Sequence, residues 1–176
     1  MLIRELESHD EDALRRFLDA IPPGDRTFFK EDVADPAVLR RWIDDARGVR
    51  LVAIEDDGAM AAVAAVWPGD GRSAHVGDLR LFVTAEHRRE GLGRQLARAA
   101  HGSALRLGMW KISVEVVATQ QGTIDMFLAL GFTGEALLRD QLWTRGEDPE
   151  DVVLLSHLAD DAAQSVLLAA PDEAVA

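Results

Sequence analysis

The sequence predicts an α/β fold, one mixed sheet of about seven strands with helices on both faces. Three observations lead there. Short runs rich in Val, Ile, Leu, Phe and Ala recur along the chain, bounded by Gly, Pro or Asp turn signals. Between them lie stretches whose apolar residues return at the period of an amphipathic helix. The order of the two kinds, β-α-α-β-β-β-α-β-α-β-β, puts antiparallel hairpins on one side and a β-α-β crossover after the fourth strand.

Met1–Leu6 is apolar enough for a short first strand. Ser8 or Asp10 is expected to cap a helix to about Ala20, with Leu14, Phe17, Leu18 and Ile21 on one face. Pro22-Pro23-Gly24 ends it. A charged loop carries Phe28 and Phe29, and Pro36 then opens a second helix to about Ala46 with Val38, Leu39, Trp42 and Ile43. Val49–Glu55 and Ala59–Trp67 are strands joined by the hairpin signal Asp56-Asp57-Gly58. Pro68-Gly69-Asp70-Gly71 turns the chain into a fourth strand, Ala74–Thr84. A helix follows from Gly91 to about Leu107, stopped by Gly108. Trp110–Ala118 is rich in β-branched residues and is expected to be buried on both faces. Thr123–Leu130 is a short helix stopped by Gly131, and Thr133–Leu142 and Asp151–Leu158 are the last two strands.

With 176 residues, the chain suits one domain, expected over 1–158, followed by an acidic, alanine-rich tail over 159–176. It has no cysteine, which excludes disulfides and thiolate metal sites and fits a reducing compartment. The first residues, charged from Arg4 onward, do not read as a signal peptide, and no run is long enough for a membrane helix. The expectation is a cytoplasmic protein. A net charge of −12 repels nucleic acid and anionic lipid, so neither is expected as a partner. It serves solubility, or it attracts a cationic substrate. Against that background His87, Arg88, Arg89, Arg94 and Arg98 form a local basic cluster.

That cluster sits in the most informative segment, LFVTAEHRREGLGRQLARAA over 81–100. A strand runs into a loop with two arginines and two glycines, and the loop runs straight into a helix. The first turn of a helix offers unpaired N–H groups and the positive end of its dipole. Glycines let those groups approach a phosphate, and the arginines add charge. A diphosphate therefore fits over Arg89–Arg94. The segment is neither a Walker loop nor a dinucleotide fingerprint, since it lacks Gly-Lys-Thr/Ser and a third glycine three residues beyond Gly93. The five histidines show no zinc spacing, and no metal is expected.

Strand, Arg-x-x-Gly-x-Gly, helix, and then a further strand and short helix closing on Leu130-Gly131-Phe132, resembles the GNAT superfamily of N-acetyltransferases over roughly residues 1–158. The likeness extends to bacterial stand-alone domains and protein-lysine acetyltransferase domains, through segments 26–32 and 137–141. It implies an acyl-CoA N-acyltransferase fold in which strands four and five splay apart to admit acetyl-CoA. Leu81, Phe82 and Val83 then correspond to the segment whose main chain pairs with the pantetheine arm. Arg88, Arg89, Glu90, Gly91, Leu92, Gly93 and Arg94 match the diphosphate loop, and Gln120 stands where the family often has an asparagine. Phe127 occupies the position at which many relatives carry a tyrosine that protonates the departing thiolate. The chain has no tyrosine, so that acid is impossible here.

Acetylation needs a neutral amine, so an alkylammonium must first lose a proton. Asp78 and Glu115 are the two acids suitably placed. Asp78 is either the base or a charge solvated or paired with an arginine. Glu115, flanked by Val114 and Val116, is either the base or a partner of Arg80 or Arg139. Phe28, Phe29 and Trp42 line the acceptor entrance or belong to the core, and Trp143 closes an interface or belongs to the core. The implied reaction is direct transfer to a primary amine, on a protein lysine or on a small amine or aminoglycoside. Two other readings stay open: a non-catalytic acyl-CoA sensor, and a homodimer built on the last strand.

Overall fold

The computed structural model describes residues 1–22, 35–143, 146 and 148–159. Phe28, Phe29 and the tail from 160 lie outside the described residues. Seven strands form one sheet in the order β1-β2-β3-β4-β5-β7-β6. They are β1 (Leu2–Glu5), β2 (Val49–Ile54), β3 (Met60–Pro68), β4 (Val76–Val83), β5 (Lys111–Val117), β6 (Thr133–Leu142) and β7 (Glu150–Leu158). Only β4 and β5 run parallel; the other neighbours are antiparallel. Among the described residues, four helices flank the sheet: α1 (Glu11–Ala20), α2 (Pro36–Asp44), α3 (Leu92–Arg106) and α4 (Gln121–Ala129). As the sequence predicts, they lie on both faces. Leu14, Phe17 and Leu18 of α1 and Leu39 and Trp42 of α2 pack on Val52 and Val63. On the other face, Leu96 and Ala100 of α3 and Ile124 and Phe127 of α4 pack on Leu51, Ala64, Val114 and Leu155.

The turns follow local stereochemistry. Gly58 takes φ +86° at the β2–β3 turn, where Asp57 Oδ1 accepts the Ala59 N–H at 2.9 Å. Asp35 caps α2 by accepting the Ala37 N–H at 2.9 Å. Both later helices end in the same left-handed cap. For α3, Gly108 (φ +82°) donates to Leu105 O and Met109 to Ala104 O; for α4, Gly131 (φ +90°) donates to Leu128 O and Phe132 to Phe127 O. The Leu130-Gly131-Phe132 signature is therefore a helix cap whose last residue returns to the core.

Two expectations change. Asp10 does not cap α1 with its side chain. Its carboxylate instead accepts the Glu7 N–H at 2.9 Å and both Arg4 Nη atoms at 2.6 and 2.8 Å, which ties β1 to a 3-10 turn over Ser8–Asp10. Nor is β5 buried on both faces. Ile112, Val114 and Val116 are buried beneath α3 and α4, whereas Ser113 and Glu115 are only partly covered. The cause lies in the neighbouring strand. β4 and β5 pair through Val76↔Lys111, Gly77↔Ile112 and Asp78↔Ser113 and then part. β4 stays paired to β3 as far as Val83, and β5 to β7 as far as Val117. The sheet thus opens into two wings about Gly77. A Cβ there would lie 2.5 Å from Val66 Cγ1 and 2.8 Å from Ile112 Cδ1, so any larger residue would force these side chains to shift at the hinge.

Candidate active site

The opening between the wings is a cleft of about 670 Å³. Strand alternation decides which main-chain groups look into it. Thr84 N–H donates to Ala61 O, so Phe82 and Arg80 turn their N–H and C=O toward β3, and Leu79, Leu81 and Val83 turn theirs toward the gap. On the other wing Ala118 N–H donates to Asp151 O, so Glu115 and Val117 face the gap. The main-chain groups of Leu81 and Val83 therefore face the gap. Phe82 does not offer its main chain; its side chain lines the cleft from the α1 side.

At one end of the cleft lies the loop into α3. Residues 85–87 make a 3-10 turn, Arg89 is left-handed at φ 69°, and Gly91, the N-cap of α3, is left-handed at φ +83°. Left-handed backbone costs a non-glycine residue about 1–2 kcal/mol, so the loop holds Arg89 in a strained shape. The side chain of Arg88 reaches back, with Nε donating to Val83 O at 3.1 Å. His87, Arg88, Arg89 and Arg94 line this end together with Gly91 and Gly93. Leu92 is buried in the core, one α-helical step before Leu96, and Glu90 is exposed; neither side chain lines the cleft.

The opposite end carries acids. Asp78 and Glu115 line it with Arg80, whose Nη2 stands 3.3 Å from Asp78 Oδ2. All three lie on the α1 side of the sheet, because Asp78 pairs with Ser113 and side chains alternate from there. The cleft is thus cationic where the loop is and carries two carboxylates against one guanidinium where the strands part. Gln120 and Phe127 come from the α4 side. Phe127 is 1% exposed, backing the wall from the core with its ring edge-on to Phe132 at 5.1 Å. Trp42 is core, edge-on to Trp67 at 5.7 Å. Trp143, by contrast, is 65% exposed and has no core role.

Sequence reasoning missed Thr123 and Met126, which line the cleft beside Phe127. Their i, i+3, i+4 spacing marks one helix face and was a usable signal. Ile21, Leu142 and Val152 also line it, brought from distant segments that share no local pattern. Among the described residues, no three metal-ligating side chains come together, and no helix is long and apolar enough to cross a membrane.

The model of the acetyltransferase (GNAT) family matches residues 11–132. The chain belongs to that family. It is accordingly an acyltransferase, built on the GNAT fold. No curated protein sequence matches it. Solved structures share the fold at low identity. A ribosomal-protein-alanine N-acetyltransferase from Brucella melitensis superposes with TM-score 0.77 at 21% identity, covering 90% of this chain and 99% of its own. A phosphinothricin acetyltransferase from Sinorhizobium meliloti, in complex with acetyl-CoA, gives 0.75 at 18%, covering 90% and 88%. A chimeric spermidine N-acetyltransferase from Vibrio cholerae gives 0.72 at 17%, covering 96% and 98%. The names of these three proteins give unlike acceptors, and what they share with this chain is the fold.

Proposed function

We propose that this GNAT protein moves the acetyl group of acetyl-CoA to a primary amine by direct transfer in the cytoplasm. The observation that carries the reading is the parting of β4 from β5 beside a left-handed, arginine-ringed helix start. The diphosphate takes the N–H groups of the loop and the charge of Arg88, Arg89 and Arg94. The pantetheine amides take the main-chain groups of Leu81 and Val117 that face the gap. An N–H on the β4 side polarises the thioester carbonyl, where negative charge grows in the transition state.

The acceptor arrives as an ammonium and must lose a proton before it can attack. Asp78 and Glu115 stand at the parting of the strands and accept it, directly or through water. The amine nitrogen then bonds to the thioester carbon, the carbon–sulfur bond breaks, and the thiolate leaves. With Phe127 where a tyrosine would stand, water protonates the thiolate. No cysteine exists to form an acyl-enzyme. Two carboxylates at the acceptor end suit a cationic amine. A protein lysine is the first choice, and a polyamine or aminoglycoside the second.

The test is a thiol-release screen with acetyl-CoA over lysine peptides, polyamines and aminoglycosides. Release with one class identifies the acceptor. Tight acetyl-CoA binding with no release from any amine would replace the enzyme with a sensor.

A further inference from the structure

We propose that His87 is a positioning residue that holds the diphosphate loop in its binding shape, an inference that rests on the assignment of that loop to acetyl-CoA. His87 lines the cleft, and both of its ring nitrogens lie near protein groups. Nδ1 lies 2.8 Å from Thr84 Oγ1, a hydrogen bond. Nε2 lies 3.6 Å from Glu55 Oε2, an imidazole–carboxylate contact just beyond hydrogen-bond length. Only 19% of the side chain is exposed.

Both anchors are rigid for independent reasons. Thr84 continues the β3–β4 ladder through its N–H to Ala61 O at 2.9 Å. Glu55 sits at the base of the β2–β3 turn, where its N–H donates to Ala59 O at 2.8 Å and its C=O accepts from Gly58 at 3.0 Å. The imidazole therefore joins the end of β4, the tip of a hairpin and the start of the loop. The main chain alone holds this turn loosely, through His87 N–H to Thr84 O at 3.1 Å and Arg88 N–H to Ala85 O at 3.4 Å. Two residues further on, Arg89 is held left-handed. A strained residue persists only when both flanks are fixed. α3 fixes one flank, and His87 with the Arg88–Val83 bond fixes the other. Releasing the ring lets Arg89 relax and scatters the N–H groups that converge on the anion.

Calorimetry with acetyl-CoA tests this on wild type, His87→Ala, His87→Asn, Glu55→Gln and Thr84→Val, with melting temperature as a check on folding. His87→Ala is expected to weaken binding about tenfold. His87→Asn keeps a polar atom near the Nδ1 position and should recover most of the affinity. Glu55→Gln and Thr84→Val should each weaken binding in wild type and add almost nothing in the His87→Ala background, because all three changes cut one tether. A merely structural loss would lower melting without that pattern. Wild-type affinity in His87→Ala, or effects that add in full, would overturn the inference. If His87→Ala fails to fold, non-additivity of Glu55→Gln with Thr84→Val decides. Failure of the wild type to bind acetyl-CoA would instead remove the loop assignment beneath it.

Discussion

At the scale of single residues, the acids decide what can be measured. Asp10 is 4% exposed and held by Arg4 and the Glu7 N–H. The Arg4 hydrogen bonds keep its carboxyl below the ordinary carboxylate range. A lowered carboxylate pKa contributes stability above the unfolded value and loses it as pH falls through the folded one. Asp10→Ala should therefore cost about 2–3 kcal/mol near neutrality, read by chemical denaturation, and the deficit should shrink below about pH 4. In the cleft the base is separable by kinetics. Of Glu115→Gln and Asp78→Asn, the change that removes the group taking the ammonium proton should cut turnover about 10²-fold, and a pH–rate comparison of the two variants identifies it. The Asp78–Arg80 pairing was half legible, since residues i and i+2 on a strand share a face. The burial of Leu92 was legible from its spacing to Leu96.

Among the elements, glycine is where sequence spoke most plainly. Gly58, Gly108 and Gly131 stop a strand or helix through a left-handed φ that depends only on immediate neighbours. Gly91 and Gly77 act over longer range. At Gly91 a β-branched side chain would strain a left-handed N-cap. Gly91→Val combined with Arg88→Ala should weaken acetyl-CoA binding more than tenfold, about 1.4 kcal/mol or more, measured by calorimetry. Unchanged affinity would remove the loop from the binding site. Gly77→Ala would push a methyl against Val66, Ile112 and Met109, and should lower stability by about 1–3 kcal/mol. Nothing local to the sequence at Gly77 announces this, because the three crowded side chains come from β3, β5 and the residues before β5. The order β5-β7-β6 is similarly a long-range result. β7 inserts between β5 and β6, a placement that strand patterns do not specify.

Across the whole molecule, a pair of imidazoles behind the sheet links α3, β7 and the cap of α4. His101 meets His157 edge-on at 4.4 Å and Phe132 at 6.1 Å. Burial and then the neighbouring His157 pull His101 down to about 4. The unfolded chain binds the proton first, so stability is full above about pH 6.5 and falls as pH drops toward 4. The loss should approach about 2 kcal/mol, allowing for water at the exposed edge of the ring. Melting curves of His101→Asn should be flatter across that window, and an equal slope would exonerate the pair. The fold was legible because its helices and strands each carry their own period. The cleft was not, because it is made by a disagreement between neighbours: β4 follows β3, β5 follows β7, and no single segment records the divergence. That divergence has a consequence for exchange with heavy water. Leu81 and Val117 turn their amide hydrogens toward the wedge, whereas Phe82 and Val116 turn theirs into the adjoining ladders. A pantetheine arm lying in the wedge would act as a surrogate strand. Saturating coenzyme A should then slow deuterium uptake at Leu81 and Val117 and leave Phe82 and Val116 as they were, so that the sheet is whole only while it carries its donor.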